Sequence, residues 1–263
     1  MVDTHTHLYM DSFSKDEPDG CAAAVDRAVA AGVELMVLPA VDRESAAEVA
    51  TLHAARPDRT RTAMGLHPTE VGEDWREELD DIVATLTPTS PVAIGEVGID
   101  LYWDASRLAL QKEAFTAQLL LAHRLGLPVI IHCRDGVEAC CECIEAAAKE
   151  AARKLPPMVF HSFTGSPADV RRIREVCDPY FGINGVVTFK NCGELPEAVK
   201  EIGIGRILLE TDSPYLAPVP KRGRRNESSY LTYINTRIAE ILGISAAAAE
   251  EATTRNAKDF FRI

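Results

Sequence analysis

Near its amino end the chain reads VDTHTHL, from Val2 to Leu8, with two histidines one residue apart. The run is apolar and β-branched, as strands are. Alternate strand residues share a side, so His5 and His7 would project together, roughly 7 Å apart along the chain. Two imidazoles so placed can reach one metal ion, although two polar residues on an edge strand would read the same way. Further along, His67 stands in GLHP, Glu96 in IGEVG, His132 in PVIIH, His161 in FHSFTG and Asp212 in LETDSP. Each of these segments joins an apolar run to a turn-like sequence.

Imidazole and carboxylate with no convincing thiolate suit Zn2+, Mn2+, Fe2+, Co2+ or Ni2+, and Mg2+ where water completes the sphere. The histidines and acids exceed what a single catalytic ion with an open position needs. Two ions about 3.5–4 Å apart, bridged by one carboxylate, use the set economically. Such a pair acidifies a bound water and offsets charge growing on the attacked centre. The chemistry implied is metal-assisted hydrolysis.

These residues have to be brought together by the elements that carry them. Short apolar runs at 2–7, 33–40, 60–66, 91–96, 128–132, 157–161, 180–184 and 205–210 predict strands. Amphipathic stretches near 18–31, 43–55, 74–86, 105–125, 135–152, 167–176 and 194–201 predict helices between them, with two more near 228–242 and 245–261. Strands apolar on both faces belong to buried parallel sheets. Strand–helix alternation repeated eight times predicts an α/β fold, a single (β/α)8 TIM barrel over residues 1–263, with an open doubly wound sheet as the alternative. Five of the seven histidines fall at carboxyl ends of expected strands; His53 and His123 fall within helices. Barrel enzymes gather their active sites at that face.

Composition narrows the class. The 263 residues are 46% hydrophobic, enough for a core, and carry a formal charge of −12. That balance argues against a protein that coats nucleic acid, because such binding comes mostly from neutralised phosphates. It leaves room for an enzyme that holds one phosphate in a local site. No apolar run is long enough for a membrane span, and no signal-peptide pattern is recognisable, so a cytoplasmic protein without a membrane partner is expected. Seven irregularly spaced cysteines read as reduced thiols. The Cys140/Cys143 pair lies in an alanine-rich helical pattern with no second pair at zinc-site spacing. Without heptads or long apolar helix faces to demand a partner, a monomer is expected.

The blocks DTHTHL, GLHP, IGEVGID, LPVIIHCRD, FHSFTG, GINGVVTFKN and LLETDSPYLAPVPKRGRRNE, in this order, resemble the TatD family of metal-dependent deoxyribonucleases over residues 2–261. The resemblance implies a TIM barrel, a divalent-metal site of two ions (Mg2+ or Mn2+ in catalysis) and hydrolysis of DNA phosphodiesters, often as a 3′ to 5′ exonuclease. Carried over by motif, His5, His7 and Asp212 hold the first ion, Glu96 bridges, and His132 and His161 hold the second. Asp212 is also the implied general base. His67 fits a role at the substrate. Ser162 and Thr164 could hydrogen-bond phosphate oxygens or simply shape a turn. Glu210 lies on the same side of its strand as Asp212 and is expected to orient a ligand or a loop arginine.

The segment APVPKRGRRNE, from Ala217 to Glu227, should form a loop at the catalytic face. Arg222, Arg224 and Arg225 there could fork onto phosphates or tie the loop to the barrel; Lys190 and Asn191 are weaker candidates. Arg107, Gln111, Phe115 and Gln118 mark one helix face expected to pack on the barrel. Tyr102 and Trp103 follow Glu96 and could stack on a base or pack on a neighbouring loop. Two positions depart from the family pattern: Tyr9, where an acid or amide is frequent, and Ser228, where proline is. The competing readings are an amide or ester hydrolase on the same barrel and a non-catalytic metal-binding protein. Glu96 disfavours the first, since related amidohydrolases often place a modified lysine on strand four. The filled ligand positions disfavour the second.

Overall fold

The computed structural model describes residues 1–14 and 20–263. Eight parallel strands follow one another in sequence order around a single sheet. They are β1 (Val2–Asp3), β2 (Leu35–Pro39), β3 (Thr60–Met64), β4 (Ala93–Asp100), β5 (Val129–Arg134), β6 (Met158–Phe160), β7 (Pro179–Ile183) and β8 (Ile207–Leu209). The first and last strands are laced together just beyond their ends. Thr4 N donates to Leu209 O at 3.0 Å, Asp212 N to His5 O at 2.9 Å, and Thr6 bridges to Ser213 in parallel. The result is the TIM barrel that the alternating pattern predicts.

Eleven α-helices lie among the described residues. α1 (Asp11–Ser14) and α2 (Gly20–Ala30) follow β1; the start of the helix expected from 18 lies outside the described residues. α3 (Arg43–Ala55), α4 (Trp75–Ala84), α5 (Leu86–Thr89), α6 (Leu108–Leu125), α7 (Val137–Ala151), α8 (Pro167–Val176) and α9 (Leu195–Ile202) fill the crossovers, and α10 (Leu231–Leu242) and α11 (Ala246–Phe261) close the chain. Local chemistry sets several boundaries. Asp42 and Ser45 form a reciprocal capping box at the start of α3, and Ser166 and Asp169 do the same for α8, with Pro167 in its first turn. None of these helices is long and apolar enough to cross a membrane.

The barrel interior is built in two storeys. Val2, Val37, Ala63, Ala93, Ile130, Val159 and Leu208 meet one another in the lower storey, and Phe260 and Phe261 of α11 stopper it. The alternate residues Met36, Leu38, Ile94, Ile131, Phe160 and Ile207 belong to the core between sheet and helices. Both faces of each strand are therefore buried, which explains runs that are apolar throughout. Strand alternation carries the interior column upward, from Ile130 to His132, from Val159 to His161, and from Leu208 to Glu210 and Asp212.

Two strands break this rule. β1 ends at Asp3, not at His7 as expected, so both histidines stand on extended chain beyond it. Thr6 N and His7 N still donate to Val37 O and Ser213 O, which keeps that chain between its neighbours. β4 runs to Asp100, four residues past its expected end at Glu96, and its pairing with β5 shifts register between Ile94 and Val97. Alternation from Ala93 would turn Glu96 outward; the bulge turns it in. Just beyond, Gly98 has φ +150, and a Cβ there would lie 1.9 Å from His132 O, so only glycine lets β4 and β5 approach this closely.

Two buried glutamines of α6 hold the strand ends. Gln118 accepts from Leu66 N (2.8 Å) and donates to Leu66 O (3.1 Å); Gln111 accepts from Asp100 N (2.9 Å) and donates to Asp100 O (3.0 Å). The seven-residue spacing places both amides on one helix face, where each replaces ladder bonds that the diverging strands no longer supply. Replacing Gln118 with leucine leaves the Leu66 N–H and C=O buried without partners, at about 1–3 kcal/mol for each group. Gln118→Leu is therefore expected to lower the thermal midpoint by about 5–15 °C. An unchanged midpoint would contradict this role.

Candidate metal centre

The two Glu96 oxygens face two sets of imidazoles. Oε2 lies 3.1 Å from His5 Nε2 and 3.9 Å from His7 Nε2. Oε1 lies 2.7 Å from His161 Nε2, 2.8 Å from His132 Nδ1 and 3.3 Å from His67 Nε2. Asp212 stands on the first side, with Oδ1 3.5 Å from His7 Nε2 and 3.9 Å from His5 Nε2. The rings are in contact with one another. His5 stacks on His161 with centroids 3.8 Å apart, and His5 Nε2 comes within 3.2 Å of His7 Nε2.

Burial and charge work against each other here. Burial alone would push the Glu96 carboxyl up, but the imidazoles of His161, His5 and His67 outweigh it and hold Glu96 well below the usual carboxylate range. Asp212 follows the same balance: burial raises it, and His7, His161 and His5 bring it below its ordinary value. Among the imidazoles, burial lowers His5, helped by repulsion from His161, and burial lowers His67 against the pull of Glu96. His161 goes the other way, because Glu96 and Glu210 overcome burial and raise it well above the ordinary value.

Three trios offer ligand atoms within 4.8 Å of one another: His5, His161 and Asp212; His5, His7 and Glu96; His67, Glu96 and His132. All six residues expected to hold metal are therefore brought together. His67, expected only at the substrate, joins a trio as well. The donor set fits a divalent cation, for a specific reason. His5 Nε2 and His7 Nε2 point at each other and at one Glu96 oxygen, and a single proton cannot serve all three atoms, whereas a cation can.

Surrounding groups fix the rings. Tyr9 Oη donates to Pro39 O (2.8 Å), so it accepts from His7 Nδ1 (2.9 Å), which holds the ring with Nε2 facing Glu96 and Asp212. Asp100 Oδ2 lies 2.9 Å from His132 Nε2, and together with Glu96 it raises the His132 pKa against burial. Asp100 is not among the residues that the strand-end pattern marks. Its signal is the period of two along Glu96, Gly98 and Asp100, which a strand ending at Glu96 hides.

The other candidates divide. Glu210 accepts from Ser162 N and lies 3.6 Å from His161 Nδ1, so it backs a ring of the cluster. Gly182 makes room for it, since a Cβ there would sit 2.0 Å from Glu210 Oε2. Ser162 Oγ accepts from Asn184 Nδ2 (2.7 Å), and Thr164 is exposed on the same loop. Arg222 is exposed, with its guanidinium 4.0 Å above the Phe189 ring. Arg225 is turned to the α1 segment, donating to Ser12 O (2.6 Å) and lying over Phe13, so it ties the loop down.

A TIM barrel with imidazoles and carboxylates gathered at the carboxyl ends of its strands is the architecture of a metal-dependent hydrolase. The family profile for TatD related DNase matches residues 2–262, and the chain belongs to that family. It is 37% identical over 263 residues to the uncharacterized metal-dependent hydrolase YabD of Bacillus subtilis, covering 100% of this chain and 99% of the relative. It is 35% identical to the 3'-5' ssDNA/RNA exonuclease TatD of Escherichia fergusonii over 272 residues, covering 100% of this chain and 99% of that protein. The crystal structure of YJJV, a TatD homologue from Escherichia coli, superposes with a TM-score of 0.88 at 26% identity, covering 100% of this chain and 98% of that one.

Because the cation binds only the folded protein, it should stabilise it. Adding Mn2+ at a hundredfold excess over its Kd to chelator-stripped protein is expected to raise the thermal midpoint by about 5–10 °C. Glu96→Gln should lose most of that rise. An undiminished rise in Glu96→Gln would put the cation elsewhere.

Proposed function

We propose that this protein is a two-metal phosphodiesterase that shortens single-stranded DNA, and RNA, from the 3′ end. The observation that carries the reading is the division of Glu96, with one oxygen facing each set of imidazoles. The names of the enterobacterial relatives, at about 35% identity over the full chain, support the substrate and the polarity. In this reading His5, His7 and Asp212 would hold one cation and His132 and His161 the other, with Glu96 offering an oxygen to each side. Mg2+ or Mn2+ serves in catalysis, and the imidazoles would also accept Zn2+, Co2+, Ni2+ or Fe2+. When bound, the cations acidify water and offset charge on the phosphate oxygens.

The chain's own residues do the rest. Asp212, whose Oδ1 faces His7 and His5, takes the proton of the attacking water on Oδ. His67, anchored through Nδ1 to Thr69 Oγ1 at 2.7 Å, hydrogen-bonds a phosphate oxygen. Thr164 and Arg222, both exposed on loops of this face, meet the phosphates, and the Ser162 hydroxyl donates from its seat on Asn184. Arg225 and Glu210 act from behind, through the loop and through His161.

A 5′-labelled single-stranded oligonucleotide incubated with Mg2+ or Mn2+ tests this directly. The expected result is a ladder shortening from the 3′ end, abolished by EDTA and reduced about 10²–10⁴-fold in Asp212→Asn. DNA and RNA left intact by the metal-loaded protein would overturn the nuclease reading. Undiminished cleavage by Asp212→Asn would remove Asp212 from the role of base.

A further inference from the structure

Exposed aromatic rings are concentrated beside the metal cluster. Trp103 is 69% exposed, Tyr102 57% and Tyr215 53%, whereas the other tryptophan, Trp75, is 3% exposed. Tyr102 and Trp103 meet edge to face with centroids 5.1 Å apart. One face of Tyr102 is covered by the Arg134 guanidinium at 3.8 Å, and Arg134 itself is exposed at the end of β5. Among the described residues no carboxylate lies within salt-bridge distance of that guanidinium, so its charge is free to meet an anion.

This patch is fastened to the reacting centre through one carboxylate. Asp100 Oδ1 accepts from the backbone N–H groups of both Tyr102 and Trp103, at 2.9 Å each. Its other oxygen contacts His132 Nε2 at 2.9 Å. Leu101 N donates to Arg134 O at 2.9 Å, which pins the arginine to the same corner. The two rings therefore begin within one carboxylate's span of an imidazole of the cluster. An indole open to solvent beside a free cation has the chemistry of a nucleotide: a π-face for the base and a positive charge for its phosphate.

We propose that Trp103 and Tyr102, with Arg134, form a subsite that stacks an unpaired nucleobase of the substrate strand next to the phosphate held at the metal cluster. The subsite rests on the exonuclease reading and gives it a structural cause for acting on single strands. A base inside a duplex is already stacked and offers no free face. Base–aromatic stacking tolerates every base, so the subsite selects unpaired strands without selecting sequence.

The test uses two readouts. In the first, Trp103 fluorescence is titrated with oligothymidylate in the Mg2+-loaded Asp212→Asn protein, with an abasic oligonucleotide of equal length as comparison. Saturable quenching by the first and not by the second is expected. In the second, steady-state cleavage of the oligonucleotide is measured in Trp103→Ala and Trp103→Phe. KM should rise roughly 5- to 150-fold in Trp103→Ala with kcat little changed, and Trp103→Phe should recover most of it. Cleavage with the same KM in Trp103→Ala would overturn the subsite and leave the nuclease reading intact. Quenching without any cleavage by the wild-type protein would overturn the nuclease reading and, with it, the patch as a substrate subsite. Quenching that grows with protein concentration alone would assign the patch to self-association and overturn the proposal.

Discussion

A carboxylate sealed among imidazoles governs this molecule. Glu96 is almost wholly buried, and a bare buried charge of that kind costs several kcal/mol unless opposite charge or hydrogen bonds compensate it. The barrel supplies the compensation from five directions, with rings from the ends of β3, β5 and β6 and from the extended chain after β1. Four of the five rings are in turn limited by something behind them: Tyr9 for His7, Asp100 for His132, Glu210 for His161, Thr69 for His67. The arrangement concentrates negative charge and nitrogen lone pairs where a divalent cation can satisfy several at once.

The barrel serves this constraint by separating its storeys. The lower interior is apolar and stoppered by Phe260 and Phe261, and the polar storey stands above it. His67, His132, His161, Glu210 and Asp212 continue the inward columns, two or four residues beyond Ala63, Ile130, Val159 and Leu208. Where the column would point the wrong way, the backbone is altered: a register shift turns Glu96 inward, and Gly98 and Gly182 remove a Cβ where the chain or a side chain must pass. The buried amides of Gln111 and Gln118 then fasten the strand ends from outside. Precision at the metal cluster is thus a property of the sheet and its supporting helix, with the loops free to carry groups that meet substrate.

Much of this was legible in the sequence, for physical reasons. Strands buried on both faces leave continuous apolar runs, and the histidines that end them stand out against that background. The barrel and the cluster of strand-end histidines and acids were accessible on those grounds; the choice of six ligands among them is what the resemblance to the TatD family implies. What escaped was what alternation cannot carry. The period of two does not announce a bulge, so the sequence pattern ends the strand at Glu96 and does not mark Asp100, although it lies two positions beyond Gly98 on the same side. β1 proved too short to hold His5 and His7; neighbouring strands hold them instead. Arg225 and Arg222 are three residues apart in one basic loop, yet one is spent on the backbone at Ser12 and the other remains open, a distinction made only by tertiary contact.

The central proposal is that Glu96 would offer one oxygen to each of two bound cations. Anomalous diffraction from crystals soaked in Mn2+ tests it most directly. Two peaks about 3.5–4 Å apart, one beside His5, His7 and Asp212 and one beside His132 and His161, with Glu96 contacting both, are the predicted result. A single peak, or peaks that leave Glu96 outside the coordination sphere, would contradict the account.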